Sequence, residues 1–497
     1  MVFFLYAKTL TFGLMPLDDA DYLFKNPAVA GGLDLPSLKA AFTTIQQSYY
    51  IPLTWLSYAA DITVFGPSPK GFHATNAILF ALTAWLFYSF ARKATGSGAV
   101  ALASALLFSL HPSRVESVAW ISERKDLLSG LFLLLALTSH IDWSREKKPK
   151  HYAASLLCLM LGLLAKPSLA VAPALFLTLD FWPLGRFSGG KETTRSLIAE
   201  KIPHILLCAA FAALTLASQG ENISAARGYG LVSNASFAAV NFFRYLWRTA
   251  WPFGFEFYTY MTVEEPSLAL GLFLMALIAF LAYFLWRIRG PAPQLFAAFL
   301  WFAAALFPVS GFFVVGLQPY SDRFTYIPHI LLFIGLCSLA VEKSGRSGLK
   351  IFWGSAAALS LLFAASSFYA MESWRDEKTF LAKLRERNAE DPLYHRLEGA
   401  RLSREGDFSG AARSFGQAAR LSPETQSLHA ELGTALALSG KLKEAAAELQ
   451  NAVELGSRDP QVFFLLGMCR TDLGDLERGG EKIDEAIAIS PADYNLP

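Results

Sequence analysis

The sequence predicts an all-α chain in two parts, a polytopic membrane domain over residues 1–371 and a soluble α-solenoid of short helix pairs over 391–497. Three observations predict it. The 497 residues are 54% hydrophobic with a mean hydropathy of +0.36, which is too apolar for an ordinary soluble protein. Past residue 372 the chain turns charged and polar, so two regions with different solvents are implied. From Asp391 onward, finally, the sequence repeats itself with a period of 34 residues.

Apolar segments recur at 71–91, 98–110, 127–142, 152–165, 167–182, 202–218, 267–286, 292–310, 327–341 and 350–371. With the N-terminal stretch 2–15 they make about eleven membrane helices, several of them short for a bilayer that takes about 20 residues to cross. The first stretch is read as a shortened helix rather than a signal peptide, because no small-residue cleavage site follows it and an acidic loop does. Arg92-Lys93, the run 145–150, the loop 186–201, Arg287 with Arg289, and 343–350 are basic. Simple alternation of helices puts all five on one side, which the positive-inside rule makes cytoplasmic. The segments 16–70, 111–126, 166–167, 219–266 and 311–326 then face outward, as does everything after 371. This reading makes the chain an integral membrane protein with its repeats on the extracytoplasmic side.

The net charge of +2 hides this division, since the positive charge sits in cytoplasmic loops and forms no patch for nucleic acid. Cys158, Cys208 and Cys337 lie in apolar spans and Cys469 stands alone, so neither a disulfide framework nor metal-ligand spacing is present.

In the tail, Gly399, Gly433 and Gly467 share one position of the 34-residue period, and Gly406, Gly440 and Gly474 another. This is the period of tetratricopeptide helix pairs, and it gives three repeats at 391–424, 425–458 and 459–492, preceded by a linker helix at 372–390. The first glycine lets paired helices approach; the second suits a turn with positive φ. Such repeats form a concave surface for a peptide, a partner protein or the neighbouring domain.

Short polar clusters interrupt the membrane part, and all of them fall on the outer side. Asp18 and Asp19 follow the first helix. Helix capping explains an isolated pair of this kind, while two adjacent carboxylates beside an apolar wall also raise the proton affinity of one, as a general base requires. The segment 111–126 carries one His, two Glu, two Arg, a Lys and an Asp, a density costly at a bilayer boundary unless the groups pair or bind something. Arg124 and Lys125 suit lipid head groups, and Glu116, beside Val115 and Val118, is expected to point into the protein. Lys166 and Arg323 sit at outer helix ends, where snorkelling or phosphate binding would use them, and Asp322 orients Arg323. The aromatic-rich stretches 48–61 and 237–260 read as interfacial helices anchored by Trp55, Tyr58, Trp247 and Trp251.

Several of these stretches together resemble a known family. They are Asp18-Asp-Ala-Asp-Tyr22 with Asn26-Pro27, Tyr50-x-Pro-Leu-Thr54, His111-Pro-x-x-Val-Glu-Ser-Val-Ala-Trp-x-x-Glu-Arg-Lys-Asp126, Ala165-Lys-Pro167, Leu179-Asp-Phe-Trp-Pro-Leu184, Asp322-Arg-x-x-Tyr326 and Trp374-Arg-Asp376. In this sequence and order they are similar to bacterial relatives of the transmembrane and tetratricopeptide repeat-containing O-mannosyltransferases. The resemblance covers nearly the whole chain, and the motif at 111–126 is its specific part. It implies an inverting membrane glycosyltransferase of the GT-C type, moving a sugar from a polyprenyl-phosphate carrier to a hydroxyl of a protein or glycan acceptor at the outer face. The resemblance gives the base role to Asp19, with Asp18 as the alternative, and sugar or acceptor positioning to Glu116. Arg323, Lys166, Lys125 and Arg124 would hold the carrier phosphate as negative charge grows on it, and His111, Asp322, Tyr326 and Tyr50 would position substrate. The family name names mannose, though no residue here identifies the sugar. No complete metal site is visible; if the reaction takes a cofactor, a divalent cation is the candidate. The competing class is a non-catalytic, membrane-anchored repeat protein for assembly or export of envelope components. It leaves the outer-face charges unexplained, and a transporter would need charges deep within spans.

Overall fold

A computed structural model describes residues 1–46, 49–187, 193–225, 230–254, 266–313 and 320–490. The chain divides into two compact units, Met1–Glu377 and Lys378–Pro497. Both are helical, and no strand occurs among the described residues.

In the first unit four helices are long and apolar enough to cross a membrane: Pro69–Thr95, Ile121–Glu146, Leu268–Arg287 and Ser347–Trp374. The bent pair Thr194–Glu200 and Ile202–Ser218 makes a fifth if it is one span. This unit is an integral membrane domain. The other apolar segments also fold as helices but are shorter, Gly98–Leu110 and Pro149–Ala165 among them. Length and composition thus give four or five spans among the described residues, against about eleven read from the sequence. A 13-residue helix rises only about 20 Å, less than a bilayer core of about 30 Å. Several of these short helices stop where a proline opens a 3₁₀ turn, at Pro112–Arg114, Pro167–Val171 and Phe307–Val309.

Local chemistry sets the helix ends. Pro69 occupies the first turn of Pro69–Thr95, and Gly96 follows it with φ +73°, the left-handed stop that glycine favours. The helix Pro52–Phe65 departs from expectation: Trp55 and Tyr58 are fully buried and pack with Tyr22, Val29, Ile51 and Phe72, so they are core residues and not membrane-interface anchors. Trp247 and Trp251 do match that description, being 62% and 50% exposed and stacked at 5.9 Å near the end of Leu231–Ala250.

The helix Arg124–Glu146 links two polar ends of this unit. Its 23 residues span about 34 Å at 1.5 Å each. At its far end the basic loops interlock: Lys93 meets Asp142 at 2.7 Å, Arg145 donates to the Lys93 carbonyl at 2.8 Å, and Lys147 lies 3.5 Å from Glu200. Arg186 pairs with Glu200 and Lys201 with Asp180, each at 2.7 Å. Three of the five basic loops therefore meet in space, at the end opposite the 111–126 segment.

The second unit contains three helix pairs, Pro392–Arg404 with Phe408–Leu421, Gln426–Leu438 with Leu442–Glu454, and Pro460–Asp472 with Leu476–Ile489. A Cβ on Gly433 would lie 2.6 Å from Leu449, so only glycine allows that helix crossing. Gly440 closes the same pair's turn with φ +82°.

Candidate functional site

The polar clusters do converge. The short helix Val115–Ala119 and the 3₁₀ turn Ile121–Glu123 fold the 111–126 segment back on itself, and the turn Asp322–Thr325 packs beside it. Glu116 is 4% exposed. One of its oxygens accepts from the Ser321 hydroxyl at 2.6 Å and from the Arg323 amide at 3.3 Å, while the other pairs with the Arg323 guanidinium. Burial pushes the Glu116 carboxyl up to about 7 against the pull of Arg323. Arg323 feels the same burial, but Glu123 and Glu116 outweigh it and hold the cation above its ordinary range.

Glu123, 1% exposed, is the centre of the cluster. Lys125 Nζ lies 3.0 Å from its carboxylate, Arg323 Nε 3.2 Å and Lys166 Nζ 4.0 Å. Lys166 also pairs with Asp126, which accepts from Ser117 Oγ at 3.2 Å. Three cations from three separate segments thus surround one carboxylate.

The two aspartates behave differently. Asp19 is wholly buried; one oxygen accepts from the Met15 amide at 2.8 Å, and the other from the amide and hydroxyl of Ser122. Burial raises its pKa to about 6, with those three bonds opposing. Asp18 stands at the N-cap of Asp19–Leu23, yet its side chain caps nothing. It is half-buried and, among the described residues, its carboxylate has no hydrogen bond or ion pair. Burial again raises its pKa, Lys125 and Arg323 lower it, and Glu123 and Asp21 add to the rise, so it lies within electrostatic reach of the cluster. The open carboxylate is Asp18, whereas Asp19 ties its loop to Ser122.

The remaining sequence-derived site residues fall outside the cluster. Arg124 is fully buried and pairs with Asp61, donating also to Asn76 Oδ1 at 2.7 Å and to the carbonyls of Ser57 and Phe72 at 3.0 Å. Its guanidinium lies over Tyr58; it staples two helices and has no donor left for phosphate. His111, also fully buried, contacts Ser113 Oγ at 2.7 Å and the Thr249 carbonyl at 3.3 Å, and burial lowers its pKa to about 3. It is neutral support beneath the site. Tyr326 is 2% exposed and packs edge-on against Phe108 at 5.4 Å. Asp322 forms a two-bond pair with Arg248, at 3.0 and 2.8 Å, fixing the turn that carries Arg323. Tyr50 is half-buried and makes a long 3.4 Å bond to the Phe42 carbonyl.

Tyr49, not its neighbour, approaches the cluster, with Lys125 Nζ 5.4 Å above its ring and 5.1 Å above that of Tyr22. Glu123, Asp126, Tyr22, Tyr49, Ser122, Ser321 and Arg248 are the residues missed by sequence reasoning. The first two lay within the Glu-Arg-Lys-Asp motif. Three residues apart at a helix start, they share a face that Arg124 does not.

Glu116, Glu123 and Asp126 already have cation partners, so a divalent cation would have to displace a lysine or arginine. Among the described residues the group close enough to share a metal is His140, Asp180 and Glu200. It lies about 24 Å along the helix from Arg124, and Arg186 and Lys201 neutralise its carboxylates.

Comparison with known proteins finds similar chains. The chain is 29% identical over 172 residues to Protein O-mannosyl-transferase Tmtc1 of Drosophila melanogaster, covering 33% of this chain and 20% of that protein. It is 24% identical over 451 residues to Protein O-mannosyl-transferase TMTC3 of Mus musculus, covering 82% of this chain and 48% of that protein. Over these stretches the chain is similar to TMTC O-mannosyltransferases. It spans less than half the length of the relatives it matches here. The tetratricopeptide repeat family matches residues 397–460 and 439–494. Among solved structures, ArnT from Cupriavidus metallidurans bound to undecaprenyl phosphate aligns with 98% of this chain and 77% of its own, at 13% identity and a TM-score of 0.35.

Proposed function

We propose that this chain is a membrane glycosyltransferase of the GT-C type, transferring a sugar, mannose by analogy with its relatives, from a polyprenyl-phosphate carrier to a hydroxyl of a protein or glycan acceptor. The observation that carries this reading is the convergence of Lys125, Lys166 and Arg323 on a single buried carboxylate. Glu123 holds that position, so a phosphate would sit beside it, on the remaining ammonium donors of Lys125 and Lys166 and against Arg323, and these cations would stabilise it as the leaving group. A membrane anchor has no use for such a cluster.

Asp18 is assigned as the base because its oxygens are open where those of Asp19 are filled. It takes the acceptor proton; the hydroxyl oxygen bonds to the anomeric carbon from the face opposite the phosphate, and the carbon–oxygen bond to phosphate breaks with its electron pair leaving on the carrier. The configuration inverts. Glu116 holds Arg323 and Ser321 in place. The site is assigned to the extracytoplasmic face, because the basic loops gather at the opposite end, and the repeats are assigned to acceptor recruitment. Incubating the purified chain with a panel of polyprenyl-phosphate sugars and analysing acceptors by mass spectrometry tests this. A hexose added by wild-type protein and lost in Asp18→Asn is the expected result; equal transfer by both proteins would sink the base assignment.

A further inference from the structure

The motif Trp374-Arg-Asp376 has no part in the chemistry above, yet it touches both halves of the site. Helix Arg346–Met371 ends in the 3₁₀ turn Glu372–Trp374, where the chain leaves the first unit. Trp374 is 2% exposed and stacks on Trp120, with centroids 5.5 Å apart and planes 22° from parallel. Trp120 is equally buried, and its ring carries the Arg323 guanidinium at 5.3 Å. A run of ring contacts therefore leads from the chain exit through Trp120 to the cation between Glu116 and Glu123.

The same short segment grips the aspartate loop. Glu372 pairs with Lys8 at 2.9 Å, and the Arg375 carbonyl accepts from the Gly13 amide at 2.8 Å. Gly13 is also fixed from the other side, its carbonyl 3.2 Å from His73 Nε2. Two residues further on, Met15 donates to Asp19, and Asp18 adjoins it.

We propose that residues 372–376 clamp the site, holding the Asp18 loop and the Arg323 turn in register, with Trp374 as the positioning residue that sets the Arg323 guanidinium through Trp120. The inference rests on the reading of Arg323 as a phosphate ligand. Aromatic planes are well suited to such positioning. A guanidinium on a ring face keeps its charge while its orientation is fixed, and a stacked pair constrains tilt in a way a flexible aliphatic contact does not.

The test is titration of the purified full-length protein with undecaprenyl phosphate, read by native mass spectrometry. Trp374→Ala should weaken binding about tenfold, the scale of one lost aromatic pair, and Trp374→Phe should restore most of it. In a double-mutant cycle with Arg323→Ala the two losses should fail to add, since both act through one cation. Should Trp374→Ala not fold, Trp374→Leu fills more of the space without the flat ring and carries the same expectation. Binding by wild-type protein that is unaltered in these variants, or losses that add in full, overturns the clamp alone. Wild-type protein that does not bind the lipid overturns the phosphate reading and this inference together.

Discussion

At the scale of single residues, the neighbours Asp18 and Asp19 should respond oppositely to the same change. Asp18→Asn removes an open carboxylate and should lower transfer about a hundredfold or more, the usual worth of a general base, while thermal stability stays close to wild type. Because burial raises the Asp18 pKa, the acid limb of the rate should lie above the ordinary aspartate range; a limb near pH 4 would argue for another base. Asp19 should instead be visible in stability. Its folded pKa of about 6 exceeds the ordinary 3.8, so between those values the folded chain keeps a proton that the unfolded chain releases. As pH rises through that window the folded state therefore loses stability, and the loss is complete above 6. Asp19→Asn carries no such charge. Its melting temperature relative to wild type should improve from pH 4.5 to pH 7, and a difference independent of pH would refute the buried-charge account. The sequence marked the pair, but which member was open depended on Ser122, 103 residues away, and no local pattern encodes that contact.

Elements were more legible than side-chain directions. A 34-residue period is written in the glycines of the repeats, and each apolar segment folded as a helix. Lengths were harder, since proline-opened 3₁₀ turns shorten several segments below a bilayer's thickness. Aromatic composition also misled at Trp55 and Tyr58, because a belt at the membrane interface and a packed core use the same residues. The Arg124-Lys125 pair failed for a geometric reason: successive helical residues point about 100° apart, so only one of them faces Glu123. Helix packing offers its own test at Gly130, where a Cβ would lie 2.4 Å from the Tyr326 ring. Gly130→Ala forces that ring against Phe108 and Arg114, and should destabilise the first unit by about 1–3 kcal/mol through overpacking. Thermal unfolding in detergent measures it; an unchanged melting temperature would mean the ring moves without cost.

At the scale of the molecule, the two polar ends of the first unit are chemically distinct and cannot be exchanged. One gathers Lys93, Arg145, Lys147, Arg186 and Lys201; the other gathers Asp18, Glu116, Glu123 and Arg323. A chain inserted under the positive-inside rule puts the first set in the cytoplasm, because moving these basic loops across is what insertion resists. The segment 372–376 ends at the other set, through Trp120 and Gly13, so the chain should emerge on the extracytoplasmic side. Single cysteines in a background with the four native cysteines replaced by serine decide the matter. With an impermeant maleimide added from the extracytoplasmic side of sealed cells, Lys443→Cys in the repeats should react. Lys150→Cys in a basic loop should react only after the membrane is broken. The reverse pattern would turn the protein over and leave its site facing the cytoplasm. Labelling of both before lysis would mean that the two ends do not lie on opposite sides of one membrane.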